Sequence, residues 1–115
     1  MVTQSSCIAK LILIACLTTS FLQATTIRFI SHAKQAYTAY LSMAIDTFDA
    51  TDVIHIAPQE KVERLYDTES VRFTRMVIES EKGRSRTYIH PFDTSFSDVW
   101  LVHLYENSIE ITYPF

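Results

Sequence analysis

The chain has 115 residues, 48% of them hydrophobic and 20% charged, with one Gly, three Pro and two Cys. That is the length of a single domain, too apolar for a disordered segment and too poor in Gly and Cys for a collagen-like, linker-like or disulfide-dense protein. Ten Lys and Arg against 13 Asp and Glu give a net charge of −3, which speaks against nucleic-acid binding driven by phosphate charge.

The N-terminal segment has a charge order of its own. Lys10 stands before an apolar run over 11–22, no acidic residue occurs before Asp46, and the small Ala24 follows the run. This is the layout of a secretory signal peptide, and it divides the chain into a leader over 1–24 and one small domain over 25–115. The run falls short of the roughly 20 apolar residues that span a bilayer. A secreted or periplasmic location is the expectation; if residues 8–22 are retained, they anchor the chain in a membrane instead. Leu13-Ile14-Ala15-Cys16 resembles a bacterial lipoprotein box, so lipidation of Cys16 is the other route to a membrane. Cys7 and Cys16 both lie in this segment, which leaves the domain after it without thiol chemistry or disulfides.

From Thr26 the apolar residues recur at three- and four-residue steps: Ile30, Ala33, Tyr37, Tyr40 with Leu41, Ala44, then Ile45 and Phe48. With no Gly or Pro in the segment, the spacing predicts one long amphipathic helix. Asp52–Ala57 reads as a short strand closed by Pro58, and 59–67 as a short helix with Val62, Leu65 and Tyr66 on one side. The rest predicts four strands over 71–80, 84–92, 99–106 and 109–115, rich in β-branched and aromatic residues and broken by turns at Lys82-Gly83 and Asn107-Ser108. Pro114 suits an edge strand. The expected fold is therefore α+β: the long helix packed on a four- to five-stranded antiparallel meander.

Turn-centred registers place Glu79 opposite Arg86, Val77 opposite Tyr88 and Leu104 opposite Ile111. Phe73, Val77, Tyr88, Phe92, Trp100, Val102, Leu104, Ile109, Ile111, Tyr113 and Phe115 then share the face turned to the helix. Met76, Ile78, Ile89 and Leu101 cluster on the opposite face and need cover.

Motifs for chemistry are sparse. No HExxH, Cys pair or Gly-x-Ser-x-Gly elbow occurs, and one Gly cannot build a phosphate-cradling loop; no metal or cofactor is expected. His90 with Asp93 or Asp98 is the one candidate acid–base set, since a carboxylate can orient and charge an imidazole. Arg72, Arg75, Arg84 and Arg86 gather on one hairpin, where cross-strand Glu79–Arg86 and Glu81–Arg84 pairs would neutralise much of their charge. The closing Ile109-x-Ile111-x-Tyr113-x-Phe115 resembles the last strand of outer-membrane barrels over seven residues only, and the chain has too few strands for one.

Two functional readings follow. One is a small exported protein-interaction module without catalytic chemistry, periplasmic, secreted or virus-encoded, binding a protein partner or a second copy. Its surface would be Met76, Ile78, Ile89 and Leu101 together with Arg75, Arg84 and Arg86. The alternative is a ligand carrier or hydrolase-like enzyme with a pocket between helix and sheet, lined by Arg75, His90, Asp93, Asp98 and Tyr37.

Overall fold

The computed structural model describes residues 24–94 and 97–114, so the leader-like segment up to residue 23 and its expected cleavage, anchoring or lipidation lie outside the described residues. The described chain is all strand: β1 (Ala24–Ser31), β2 (Tyr37–Ile45), β3 (Phe48–Ile56), β4 (Lys61–Asp67), β5 (Val71–Ser80), β6 (Ser85–Ile89), β7 (Val99–Leu104) and β8 (Ile109–Thr112). They form two four-stranded sheets, ordered β4-β1-β7-β8 and β3-β2-β5-β6. Pairing is antiparallel throughout except between β1 and β7, which run parallel with Phe29 beside Val102.

The α+β expectation is overturned at its main element. The segment predicted as one helix folds as β1, a turn over 32–36, and β2. The physical reason is a second periodicity in the same residues. Ile27 and Phe29, then Tyr37, Ala39, Leu41 and Met43, are buried, while Ile30, Tyr40 and Ala44 of the expected helical stripe sit on the outer sides. Alternation with β-branched Thr25, Thr26, Ile27 and Thr38 outweighs the three-and-four spacing once a second sheet can cover the inner face. No Gly or Pro marks the intervening turn. Ser31 does the local work instead, its hydroxyl accepting the Ala33 N–H at 3.3 Å.

The short helix expected over 59–67 is also a strand, β4, joined to β3 by a turn. There Ala57 N–H donates to Glu60 Oε1 at 2.8 Å and Gln59 takes a left-handed φ of 59°. The four C-terminal strands exist as expected, but not as a meander. β6 and β7 belong to different sheets, and the connection over 90–98 crosses between them with Phe92 buried in the crossing. β8 is an edge strand, as Pro114 implies.

The core lies between the sheets. Tyr66 of one sheet meets Phe73 of the other edge to face at 5.3 Å, and the aromatic contacts continue through Phe92 and Trp100 to Tyr113. Edge-to-face pairs of this kind suit the ring quadrupoles. Trp100, Val102 and Leu104 face inward with Ile109, Ile111 and Tyr113, as the sequence pattern suggests. The second apolar face does not exist in the form expected. Met76 and Ile78 are core residues, 0% and 1% exposed, whereas Ile89 is 65% exposed and Leu101 lies on the outer side of the other sheet. A bulge explains the change: Ser42 pairs with Arg75 but Met43 pairs with Phe73, so Thr74 is an extra residue in β5. Counting by twos through it gives the wrong face for everything beyond.

At the opposite edge of the sandwich the Tyr66 hydroxyl donates to Asp52 Oδ2 at 2.5 Å, tying β4 to β3 across the two sheets. Burial first, and then the Asp52 carboxylate beside it, push the Tyr66 phenol far above its ordinary value, so it remains a neutral donor.

Candidate functional site

Three turns meet at one end of the sandwich. The β1–β2 turn over 32–36 is held to the β5–β6 hairpin by Glu81 N–H donating to the Ala36 carbonyl at 3.0 Å, and by Ala36 N–H donating to Glu81 Oε1 at 3.1 Å. The same turn is held to the β7–β8 turn by Lys34 N–H donating to Glu106 Oε1. The hairpin closes on Gly83, whose φ of 87° is the conformation that favours glycine, with Gly83 N–H donating to the Ser80 carbonyl at 3.0 Å.

Gln35 occupies the centre of this junction at 5% exposure. Its Nε2 donates to the Tyr37 hydroxyl at 3.2 Å and to the Glu106 carbonyl at 3.0 Å. Tyr37 in turn donates to the Tyr105 carbonyl at 2.5 Å. These neighbours fix the amide: turned over, Gln35 would set its oxygen against two acceptors. Its Oε1 is then left buried without a hydrogen-bond partner, which costs on the order of 1–3 kcal/mol unless something supplies a donor. Burial, and the Glu106 carboxylate after it, raise the Tyr37 phenol above its ordinary value, against the Gln35 hydrogen bond and the Arg86 guanidinium, which pull it down.

Beside this network a cleft of about 330 Å³ opens between the sheets, where the edge strands β6 and β8 leave the sandwich uncovered. Gln35, Tyr37 and Ile78 line it, with Arg84 and Arg86 from the hairpin and Glu106 and Ile109 from the facing turn. The arginines are there because the hairpin register differs by one residue from the turn-centred expectation. Glu79 pairs with Ser85 on the outer side, and Arg86 pairs with Ile78, so it projects toward the mouth between the sheets. Glu81 is engaged with the Ala36 amide. Neither carboxylate expected to neutralise these arginines therefore stands opposite them in the ladder.

Of the residues singled out in the sequence, Tyr37, Ile78, Arg84 and Arg86 converge on the cleft. The acid–base candidates do not. His90 leaves β6 at the end away from the hairpin with a left-handed φ of 49°, and His90, Asp93 and Asp98 are all exposed outside the cleft lining. Arg75 lies on the outer side of its sheet, in register with Ile89. Gln35, Ser80 and Glu106 were not legible as site residues, because a turn 71 residues away along the chain supplies the contacts that bury Gln35.

The histidines make a different arrangement. His32 Nε2 and His103 Nδ1 lie 3.1 Å apart, in ring planes only 16° from parallel, and the Tyr105 ring lies 4.8 Å from His32 between centroids. The His–His centroid separation of 5.4 Å exceeds the N···N distance by about one ring width, so the two imidazoles meet edge to edge through their ring nitrogens. That geometry aims the two lone-pair positions at each other rather than at a common metal. Among the described residues no group of three or more His, Cys, Asp or Glu is placed to hold a metal ion, and no helix is long and apolar enough to cross a membrane.

No family model and no curated protein matches the chain. Among solved structures it is similar to one described as the NMR structure of the protein from Eubacterium rectale. The TM-score is 0.46 at 13% sequence identity, over 80% of this chain and 89% of that one.

Proposed function

We propose that this domain is a small binding module whose site is the cleft between the edge strands, and that it holds a small polar ligand rather than transforming one. The observation that carries this reading is the convergence of polar and charged side chains from distant parts of the chain on one cleft: Gln35 and Tyr37, Arg84 and Arg86, and Glu106. Sites that recognise small molecules combine an apolar floor with a few convergent polar groups. Ile78 and Ile109 supply the first, Gln35, Tyr37 and the hairpin arginines the second.

A pooled extract of small polar metabolites should raise the melting temperature, since a ligand at one hundred times its Kd adds about 2.7 kcal/mol of stability. Ser108→Trp, in an exposed position on the cleft wall, should abolish that rise while leaving the melting temperature without ligand nearly unchanged. A melting temperature indifferent to the extract, or equally raised in the Ser108→Trp variant, removes the cleft as the site.

A second reading, a protein-interaction module, keeps one specific support. On the outer side of the second sheet Val53, Tyr40 and Val77 stand side by side in register across three strands, with Val53 44% exposed. Tyrosine is among the residue types enriched at contact centres, and here it stands between two apolar neighbours on one sheet face. Sedimentation equilibrium of the wild type and of Val77→Glu checks it. Association that disappears in the variant supports this face, and a monomer at every concentration in both counts against pairing with a second copy.

A further inference from the structure

Resting on the interaction reading of the outer sheet face, and independent of the cleft, we infer that the partner is a second copy of this chain, packed face to face about a two-fold axis that runs across the strands. The axis follows the row Val53, Tyr40 and Val77. On one side of that row Thr38 and Glu79 stand level with each other, and on the other side Ser42 and Arg75. Rotation about the row exchanges its two sides. Each residue of the row then meets its own copy, Glu79 meets the partner's Arg75, and Arg75 meets the partner's Glu79. The face is therefore complementary to itself in charge, as an isologous contact requires. Within one chain the two charges are four residues apart on β5, about 13 Å along the strand. Both are exposed, and among the described residues neither forms an ion pair. A two-fold axis along the strands would instead bring Glu79 level with the partner's Glu79 and Arg75 level with the partner's Arg75. The margins suit the contact as well. The Thr38 hydroxyl lies 3.3 Å from His55 Nδ1, and the Ser42 and Thr51 hydroxyls lie 3.4 Å apart, so these polar groups come to the contact already paired around an apolar centre. Four strands about 4.8 Å apart and about 27 Å long cover roughly 500 Å² per copy, less than the about 800 Å² of a standard interface, so the dimer belongs to the weak, reversible class.

The test is sedimentation equilibrium of the full chain at concentrations up to about 1 mM, a range that reaches weak dimers. The wild type should pass from monomer to dimer as concentration rises. Glu79→Arg sets an arginine against the partner's Arg75 at both symmetric contacts, and Arg75→Glu sets a glutamate against the partner's Glu79. Each variant alone should dimerise about tenfold more weakly or worse, because like charges face each other twice. Mixed in equal amounts, the two variants should recover dimers of wild-type strength, since in the mixed pair both contacts join an arginine to a glutamate. Salt at about 1 M should erase most of the difference between the wild type and either variant alone. The recovery on mixing is the decisive result, because no change within a single chain can produce it. A wild type that stays monomeric throughout overturns the second copy and leaves the face open to a different protein. Dimers that are lost in Val77→Glu but are not restored by mixing the charge variants overturn the two-fold arrangement and keep the face. Dimers indifferent to Val77→Glu and to both charge reversals overturn the face as well.

Discussion

Phe29→Ala is expected to lower the unfolding free energy by about 3–5 kcal/mol, the usual cost of removing a large aromatic side chain from a packed interior. Phe29 is 0% exposed, at the centre of the first sheet, with Val62 beside it on β4 and Val102 on β7. No small side chain next to it can collapse into the space, because both neighbours are fixed in register. A domain of this size has about 5–15 kcal/mol in all, so the variant retains a small margin or none. Urea unfolding followed by circular dichroism measures it as a lower midpoint at unchanged slope. Two controls make the result specific to strands. Phe48→Ala, at a position 58% exposed, should stay within about 0.5 kcal/mol of wild type, and Ile30→Ala on the outer side should cost far less than Phe29→Ala. The helix expected from Thr26, with its stripe running through Phe48, predicts the reverse order, since Ile30 and Phe48 belong to that stripe and Phe29 does not. Ile30→Ala as costly as Phe29→Ala therefore overturns the sandwich.

That comparison also shows where the sequence was legible. The C-terminal strands could be read because Trp100, Val102 and Leu104 alternate without interruption and a polar stretch separates them from Ile109, although the turn centres on Glu106-Asn107 and not on the expected Asn107-Ser108. The actual pairing of Leu104 with Ile109 is two residues from the turn-centred register, and a two-residue slip keeps every side chain on its face. The first half could not be read in the same way. Its β1–β2 turn carries no glycine or proline, and Ala33, Tyr37 and Leu41 fit a helical stripe although Ala33 is buried in that turn and Tyr37 and Leu41 on the inward side of β2. The site divides likewise. The arginines of the hairpin and Tyr37 stand out by type, yet the one-residue difference in hairpin register decides that Arg86 projects toward the cleft rather than pairing with Glu79. Gln35 carries no local signal, since its burial comes from contacts with the β7–β8 turn.

Deletion of Val77 is expected to abolish folding, whereas deletion of Thr74, three residues earlier, is expected to leave a folded domain. Both shorten β5 by one residue, and elementary alternation separates them. Val71 and Phe73 face the core before the bulge, and Met76, Ile78 and Ser80 after it. Without Thr74 the strand reads Val71, Arg72, Phe73, Arg75, Met76, Val77, Ile78, with every apolar core residue still inward and the bulge gone. The loss is the Thr74 carbonyl, which accepts the His90 N–H at 3.0 Å, a contribution of about 1 kcal/mol. Without Val77, Ile78 turns outward and Glu79 inward. An unpaired carboxylate in the core and the loss of a fully buried isoleucine together approach the whole stability of a small domain, about 5–15 kcal/mol. The dispersion of amide and methyl resonances reports the outcome directly: native-like for the chain lacking Thr74, collapsed for the chain lacking Val77. Equal loss of dispersion in both would mean that the bulge is required by the fold itself, and equal retention would mean that β5 does not hold the inward and outward faces described. Because β5 carries Ile78 and Ser80 on its inward face, and both line the cleft, the Thr74 deletion also tests whether the cleft depends on the bulge. Its floor lies beyond Thr74 and keeps its orientation, so ligand binding should survive in that chain.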